Sequence, residues 1–214
     1  MRLKRGIVCG NSASQSEEGQ CWEQNFSGES KVILVKNLKN AINNQTAQEI
    51  AMVKVDFTIR PGEHLDRAVL KEIIDLSFPR FFRFFAANSV DSEDGKFLVS
   101  EFGGVVVGFA KLTEFSIDRH KYGCILWLAV HPNQRRIGVA SALVQAGVEE
   151  LKRDGAEAVF ASVQRRNMAS LATFGRDGFE RVGFVSLWRR FGWRTFQFYS
   201  DIWFAPGEIV QMHS

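Results

Sequence analysis

Residues 131–143 read "HPNQRRIGVASAL", two adjacent arginines beside a small-residue turn that runs into an apolar pattern at helical spacing. A helix's first turn leaves backbone N–H groups unpaired and carries roughly half a positive charge, so it suits an anion. Arg135 and Arg136 add side-chain charge, and Gly138 and Ala140 keep side chains small where a phosphate must approach the backbone. The chemistry favours a pyrophosphate. The stretch is neither a Walker loop nor a Rossmann fingerprint, since GxxxxGK[ST] and GxGxxG are both absent. A strand-to-helix turn can also carry glycine for purely structural reasons, and arginine pairs are commonly solvated surface, so the flanking segments decide between the readings.

Upstream of the turn lie three β-rich segments, 96–102 "KFLVSEF", 105–115 "VVVGFAKLTEF" and 122–130 "YGCILWLAV". Gly103-Gly104 joins the first two as a hairpin. Before them, Leu65, Val69, Leu70, Ile73, Ile74 and Leu76 predict a helix over 64–76, and "FPRFFRFF" (78–85) predicts a short second helix with Pro79 in its first turn. Downstream, Leu143, Val144, Val148 and Leu151 form one stripe of a helix running to about Arg153, with Gly155 placed to end it. "AEAVFASV" (156–163) reads as a buried strand and "ASLATFGRD" (169–177) as a short helix stopped by Gly178. "ERVGFVSLW" and "RTFQFYSDIWF" read as two last strands. The predicted order is β, αα, βββ, α, β, α, ββ, with no internal repeat.

Composition sets the frame. A chain of 214 residues with 45% hydrophobic and 24% charged residues suits one globular domain with a real core. The net charge of +3 is small and evenly spread, which argues against nucleic acid or an anionic membrane as the main partner. Cys9, Cys21 and Cys124 form no CxxC pair and are odd in number, so a reducing, cytoplasmic setting is expected. Neither a signal peptide nor a run of about 18 apolar residues is evident. Residues 1–51 differ from the rest: "CGNSASQSEEGQ" is turn-rich, "NLKNAINNQTAQE" is amide-rich, and only "KVILV" (31–35) looks strand-like. They are expected to form a poorly ordered N-terminal extension to a domain spanning 52–214, with Met52 as an alternative start of translation.

Residues 96–184 resemble the GNAT superfamily of acetyl-CoA-dependent N-acetyltransferases. The matching pieces are, in order, "FLVSEFGGVVVGFAKL", "LAVHPNQRRIGVASALV" and "NMASLATFGRDGFERVGF". The second holds Arg135-x-x-Gly138-x-Ala140, the form of the superfamily's Q/R-x-x-G-x-G/A signature. The resemblance implies an α/β (α+β) GNAT fold: a mixed, mostly antiparallel central sheet of about seven strands, a splayed cofactor cleft and flanking helices. It implies acetyl-CoA as cosubstrate, with the backbone of about Arg136, Ile137, Gly138, Val139, Ala140 and Ser141 on the pyrophosphate. Main-chain groups of Leu128 and Val130 would pair with pantetheine, and Asn167 would hydrogen-bond the same arm. Leu128 and Val130 could equally be plain core, and Asn167 a helix cap.

The catalytic groups are less legible. In many relatives a tyrosine seven residues after the asparagine protonates the leaving thiolate, and here that position is Phe174, which can only pack against the cofactor sulfur. Cys124 and Ser162 stand where two branches of the superfamily carry glutamate. Glu114 and Tyr199 are candidate replacements, weighed against an ordinary surface carboxylate and a core-edge phenol. Cys124, as base or nucleophile, would be a thiol in an apolar strand. His64, His120, His131 and His213 show no metal-ligand spacing. In "LWRRFGWRTFQFYSDIWF" (187–204), Trp188, Arg189, Arg190 and Arg194, with Trp193, Trp203 and Tyr199, crowd the two expected last strands. They suit a small-molecule or peptide acceptor amine with an apolar part and an anionic group, or a protein interface. Direct transfer in a ternary complex is the expected reaction, and a non-catalytic acetyl-CoA-binding module the alternative. The acceptor and a homodimer are both left open.

Overall fold

The computed structural model describes residues 30–33, 53–92 and 94–214. Strand β1 (Ser30–Ile33) pairs antiparallel with β2 (Val53–Asp56) in a small sheet of its own. This is the strand expected at 31–35; the rest of the expectation for residues 1–51 falls outside the described residues.

The domain begins with β3 (Thr58–Pro61), a 3-10 turn at His64–Asp66 and helix α1 (Arg67–Ser77), which buries Leu70, Ile73 and Ile74. Phe78 is extended, as the residue before a proline tends to be, and this ends α1. Helix α2 then runs over Arg80–Asp91, longer than expected, with Pro79 as its N-cap rather than inside its first turn. Strands β4 (Lys96–Phe102), β5 (Val105–Ile117) and β6 (His120–Val130) form the expected meander, and α3 (Val139–Arg153), β7 (Ala158–Gln164) and α4 (Met168–Arg176) follow as predicted.

The C-terminal part corrects the sequence reading. Only Glu180–Val182 of "ERVGFVSLW" is a strand, β8; the chain then makes α5 (Phe184–Phe191) and α6 (Thr195–Asp201). The last strand, β9, is Glu208–His213. Leu187, Phe191, Thr195, Phe198 and Ile202 are the buried residues here, at steps of four, four, three and four, which is helical spacing. Aromatic content suggested strands, but period decides.

Strand order is β3-β4-β5-β6-β7-β9-β8, seven strands, as the resemblance implied. All neighbours are antiparallel except β6 and β7. Alternation along the strands sorts side chains to two faces. Ala110, Leu112, Val159, Ala161 and Val163 pack with Leu143 and Val144 of α3 and Leu171 and Phe174 of α4. On the other face, Phe109 and Ala129 meet Leu70, Ile74 and Val90 of α1 and α2. Farther along that face, Tyr122, Cys124 and Phe160 meet Leu187, Phe191 and Phe198 of α5 and α6.

Candidate functional site

β6 and β7 are hydrogen-bonded only where Tyr122, Gly123 and Cys124 face Ala158, Val159 and Phe160. Immediately beyond, the β5–β6 register shifts: Leu112 pairs with Ile125 but Lys111 pairs with Trp127, so Leu126 is an extra, bulged residue. A bulge bends its strand and strengthens the twist. β7 meanwhile keeps pairing with β9 out to Gln164–Glu208, so the two strands part and a cleft opens. Residues 126–128 lose full burial where β7 departs, although Ile125 before them and Ala129 after them stay buried.

The edge that β6 turns to the cleft follows from alternation. His131 N–H donates to Val107 O at 2.8 Å, so His131 and Ala129 address β5, while Val130 and Leu128 turn their main-chain groups to the opposite side. The Val130 carbonyl is already engaged, accepting from Arg135 Nε at 3.1 Å and Ser77 Oγ at 3.3 Å. Leu128 holds the open part of the edge.

At the mouth of the cleft the turn into α3 has Arg136 at φ 66° and Gly138 at φ 92°. Left-handed residues in such a turn direct successive N–H groups into one concavity. Ala142 N–H makes the first bond of the helix, to Gly138 O, so the N–H groups of Val139, Ala140 and Ser141 remain unpaired within α3. Arg135 serves the turn from behind: besides the Val130 carbonyl, its Nη2 donates to Ser77 Oγ at 3.2 Å, tying turn, β6 and α1 together. The Ser141 hydroxyl lies against Asp177, 2.5 and 2.7 Å from its two oxygens, and Gln145 Nε2 donates to the same carboxylate at 3.0 Å. The C-terminal end of α4 is thereby locked to the start of α3.

Every residue assigned to a cofactor in the sequence lines this one cleft: Leu128, Val130, Arg135, Arg136, Ile137, Gly138, Val139, Ala140, Ser141, Asn167 and Phe174. Asn167 is the N-cap of α4, its Oδ1 accepting from Ser170 N–H at 3.2 Å, which leaves its amide N–H groups for a ligand. Phe174 is 3% exposed and meets Phe179 edge-on, centroids 4.9 Å apart.

The residues assigned to catalysis and to the acceptor are placed elsewhere. Cys124 is fully buried among Tyr122, Phe160 and Phe198, and burial pushes its thiol up to about 12, so at neutral pH it is neither a base nor a nucleophile. Glu114 pairs with Lys121 across the β5–β6 ladder, N to O 2.8 Å, outside the cleft. Tyr199 lies on α6, not on a strand, packed 4.6 Å from the Phe204 ring; burial raises its phenol above the usual value and it does not line the cleft. Trp188, Arg189, Arg190 and Arg194 are on α5 and the turn after it and also lie off the cleft, because the segment is helical. Trp188 stacks on Phe184, Arg190 sits over Tyr122, and Arg194 pairs with Asp118 at the far end of the sheet. Of that stretch's rings Trp203 and its neighbour Phe204 reach the cleft.

The cleft instead receives residues with no role assigned from sequence. Phe78, Phe82 and Phe85 come from "FPRFFRFF", and Trp127 meets Phe78 edge-on at 5.4 Å. Glu208 comes from β9: its Oε2 accepts from Ser162 Oγ at 2.5 Å and from Ala205 N–H at 3.0 Å. The short run "GEIVQMH" after Pro206 carries β-branched residues behind a turn and was a findable strand signal. Nothing local in it announces a partner at Ser162.

The seven-stranded sheet thus splays at a bulge, and a turn whose amides go unpaired within the helix it opens stands at the mouth of the split. The chain belongs to the acetyltransferase (GNAT) family, whose model matches residues 65–179. None of the curated proteins matches it. Among solved structures, a GNAT-family protein from Desulfovibrio desulfuricans superposes with a TM-score of 0.57 at 16% identity, covering 73% of this chain and 98% of that one. The PaiA N-acetyltransferase of Thermoplasma acidophilum, solved with coenzyme A, gives 0.56 at 13% identity over 74% and 99% of the two chains. The ribosomal-protein-S18-alanine N-acetyltransferase of Escherichia coli gives 0.53 at 19% identity over 74% and 93%. At these identities the likeness is one of fold.

Proposed function

We propose that this protein transfers the acetyl group of acetyl-CoA directly to the nitrogen of a primary amine, with both substrates bound at once. The observation that carries the reading is the split between β6 and β7, which opens directly onto the unpaired N–H groups at the start of α3. The amides from Arg136 to Ser141 take the pyrophosphate, the Leu128 edge and Asn167 take the pantetheine arm, and Phe174 closes the apolar floor beneath it. Acetyl-CoA supplies an activated thioester carbonyl, and the protein's part is to hold it at the split. The cleft measures about 1540 Å³, more than the roughly 300–1,000 Å³ of a pocket for one small ligand, which suits two substrates together. Direct transfer is favoured over a thioester on the enzyme because Cys124, the free cysteine among the described residues, is buried and protonated.

The test is the melting temperature with and without acetyl-CoA. Ligand at about 100 times its dissociation constant stabilises by about 2.7 kcal/mol, a rise of about 5–11 °C for a domain of this size. Absence of any rise, with coenzyme A equally silent, refutes the assignment.

A further inference from the structure

The cleft has two halves of unlike chemistry. Its arginines are Arg135 and Arg136 of the turn into α3, Arg166 of the turn into α4, and Arg176 of α4. The other half is built by the α1–α2 corner, the β6 and β7 edges, β9 and the turn after α6. Aromatic rings wall it, among them Phe78, Phe82, Phe85, Trp127, Trp203 and Phe204. Among the cleft residues from those elements Glu208 is the one ionisable side chain.

Strand alternation fixes where Glu208 stands. Phe160 and Val210 face α5 and α6, so Ser162 and Glu208, two residues along their strands, face the same side of the sheet. Trp127 belongs to that side too, since it packs with the α1–α2 cluster. Both donors to Glu208, the Ser162 hydroxyl and the Ala205 amide, are neutral, and both address Oε2. The carboxylate is held rigidly by one oxygen, its charge is not cancelled by either donor, and Oε1 remains for a ligand. Trp203, at φ 54°, is held in a conformation that bulky residues enter only at a cost, at the rim of this half.

We propose that this half of the cleft binds a primary amine carried on an aromatic or other apolar body, with its ammonium group at Glu208. The inference rests on the acetyl-CoA reading above and extends it to the second substrate. Glu208 Oε1 takes one proton from the R–NH3⁺ group. The freed nitrogen lone pair attacks the thioester carbonyl carbon, the C–N bond forms and the C–S bond breaks, and the electron pair leaves on sulfur. A second proton from that nitrogen ends on the thiolate as CoA–SH, and Glu208 returns the first to solvent. Ser162 is a positioning residue that fixes the carboxylate. Among the described residues, an acceptor bearing its own carboxylate finds no cation beside these rings, and a polyamine finds no partner there for a second ammonium.

The experiment follows thiol release from acetyl-CoA with phenethylamine, phenylalanine and spermidine, for wild type and Glu208→Gln. A fourth acceptor is O-benzylhydroxylamine, which matches phenethylamine in length and ring but whose NH2 is neutral at neutral pH. Calorimetry measures acetyl-CoA affinity, and phenethylamine affinity in the presence of CoA. The expected results are a kcat/KM for phenethylamine at least about tenfold above that for phenylalanine or spermidine, and a loss of about 100-fold or more with phenethylamine in Glu208→Gln. The same variant should lose less than about tenfold with O-benzylhydroxylamine, bind acetyl-CoA as wild type does, and bind phenethylamine more weakly. Equal losses with phenethylamine and O-benzylhydroxylamine would reduce Glu208 to a structural residue and overturn the proposal, as would a preference for spermidine or phenylalanine. A wild-type protein that fails to bind acetyl-CoA would overturn the underlying reading instead, and calorimetry separates that failure from the others.

Discussion

Gly138→Ala tests the turn into α3 in two independent ways. Gly138 sits at φ 92°, ψ −2°, directly before the first helical residue. A Cβ in this left-handed region costs about 1–2 kcal/mol, and for a domain of this size each kcal/mol lowers Tm by about 2–4 °C. The unliganded variant should therefore melt about 2–8 °C below wild type. The second effect is on the ligand, because position 138 directly precedes the N–H groups of Val139 and Ala140, which are unpaired within α3. If affinity falls tenfold, an acetyl-CoA concentration giving wild type about 2.7 kcal/mol of stabilisation gives the variant only about 1.4 kcal/mol, halving the ligand-induced rise. Differential scanning fluorimetry with and without acetyl-CoA reads both quantities. An unliganded Tm equal to wild type would show that position 138 does not need the left-handed conformation. An undiminished ligand-induced rise would take the turn out of the binding site.

Two further substitutions probe packing and linkage. Phe174→Ala empties a buried ring site against Phe179 and should cost about 3–5 kcal/mol in chemical denaturation, with kcat at saturating substrates little changed; a fall in kcat at unchanged KM and Tm would show that the ring takes part in the chemistry. Lys111 is 1% exposed, with Nζ donating to Ser89 O at 2.5 Å and Ser92 Oγ at 2.8 Å, and burial holds its pKa below the usual value of 10.5. Between the lowered value and 10.5 the unfolded chain binds more protons than the native one, so stability should rise with pH through that window. Urea titrations across it should show the rise in wild type and a flatter profile in Lys111→Met. Identical profiles would contradict the linkage.

The turn into α3 was legible because its chemistry is local: two arginines, a glycine free to take positive φ, and a helix whose first amides must go unpaired. The meander from β4 to β6 was legible for the same kind of reason, since the Gly103-Gly104 turn and the period of the flanking residues both act over a few positions. The segment after Gly183 was misread because its phenylalanines and tryptophans suit strand and helix alike. Its buried positions identify a helix only once the sheet face beneath them is in place. The aromatic half of the cleft was illegible for a stronger reason. Glu208 meets a hydroxyl 46 residues away, and the rings opposite it come from the α1–α2 corner at the other end of the domain.

Sequence alone determined most elements up to α4 and the glycine turn into α3, because backbone geometry and residue period are properties of neighbours along the chain; the other residues expected in the cleft, Leu128, Val130, Asn167 and Phe174, came from the family resemblance. Tertiary structure decided that Cys124 is inert, that Glu114 and the α5 arginines are spent on pairs and packing away from the cleft, that Arg135 braces the turn, and that Glu208 stands in the split. Each of these depends on what the fold brings against a side chain from a distant segment: burial sets the protonation of a thiol, and an available partner decides whether a charge is used in a pair or left for a ligand.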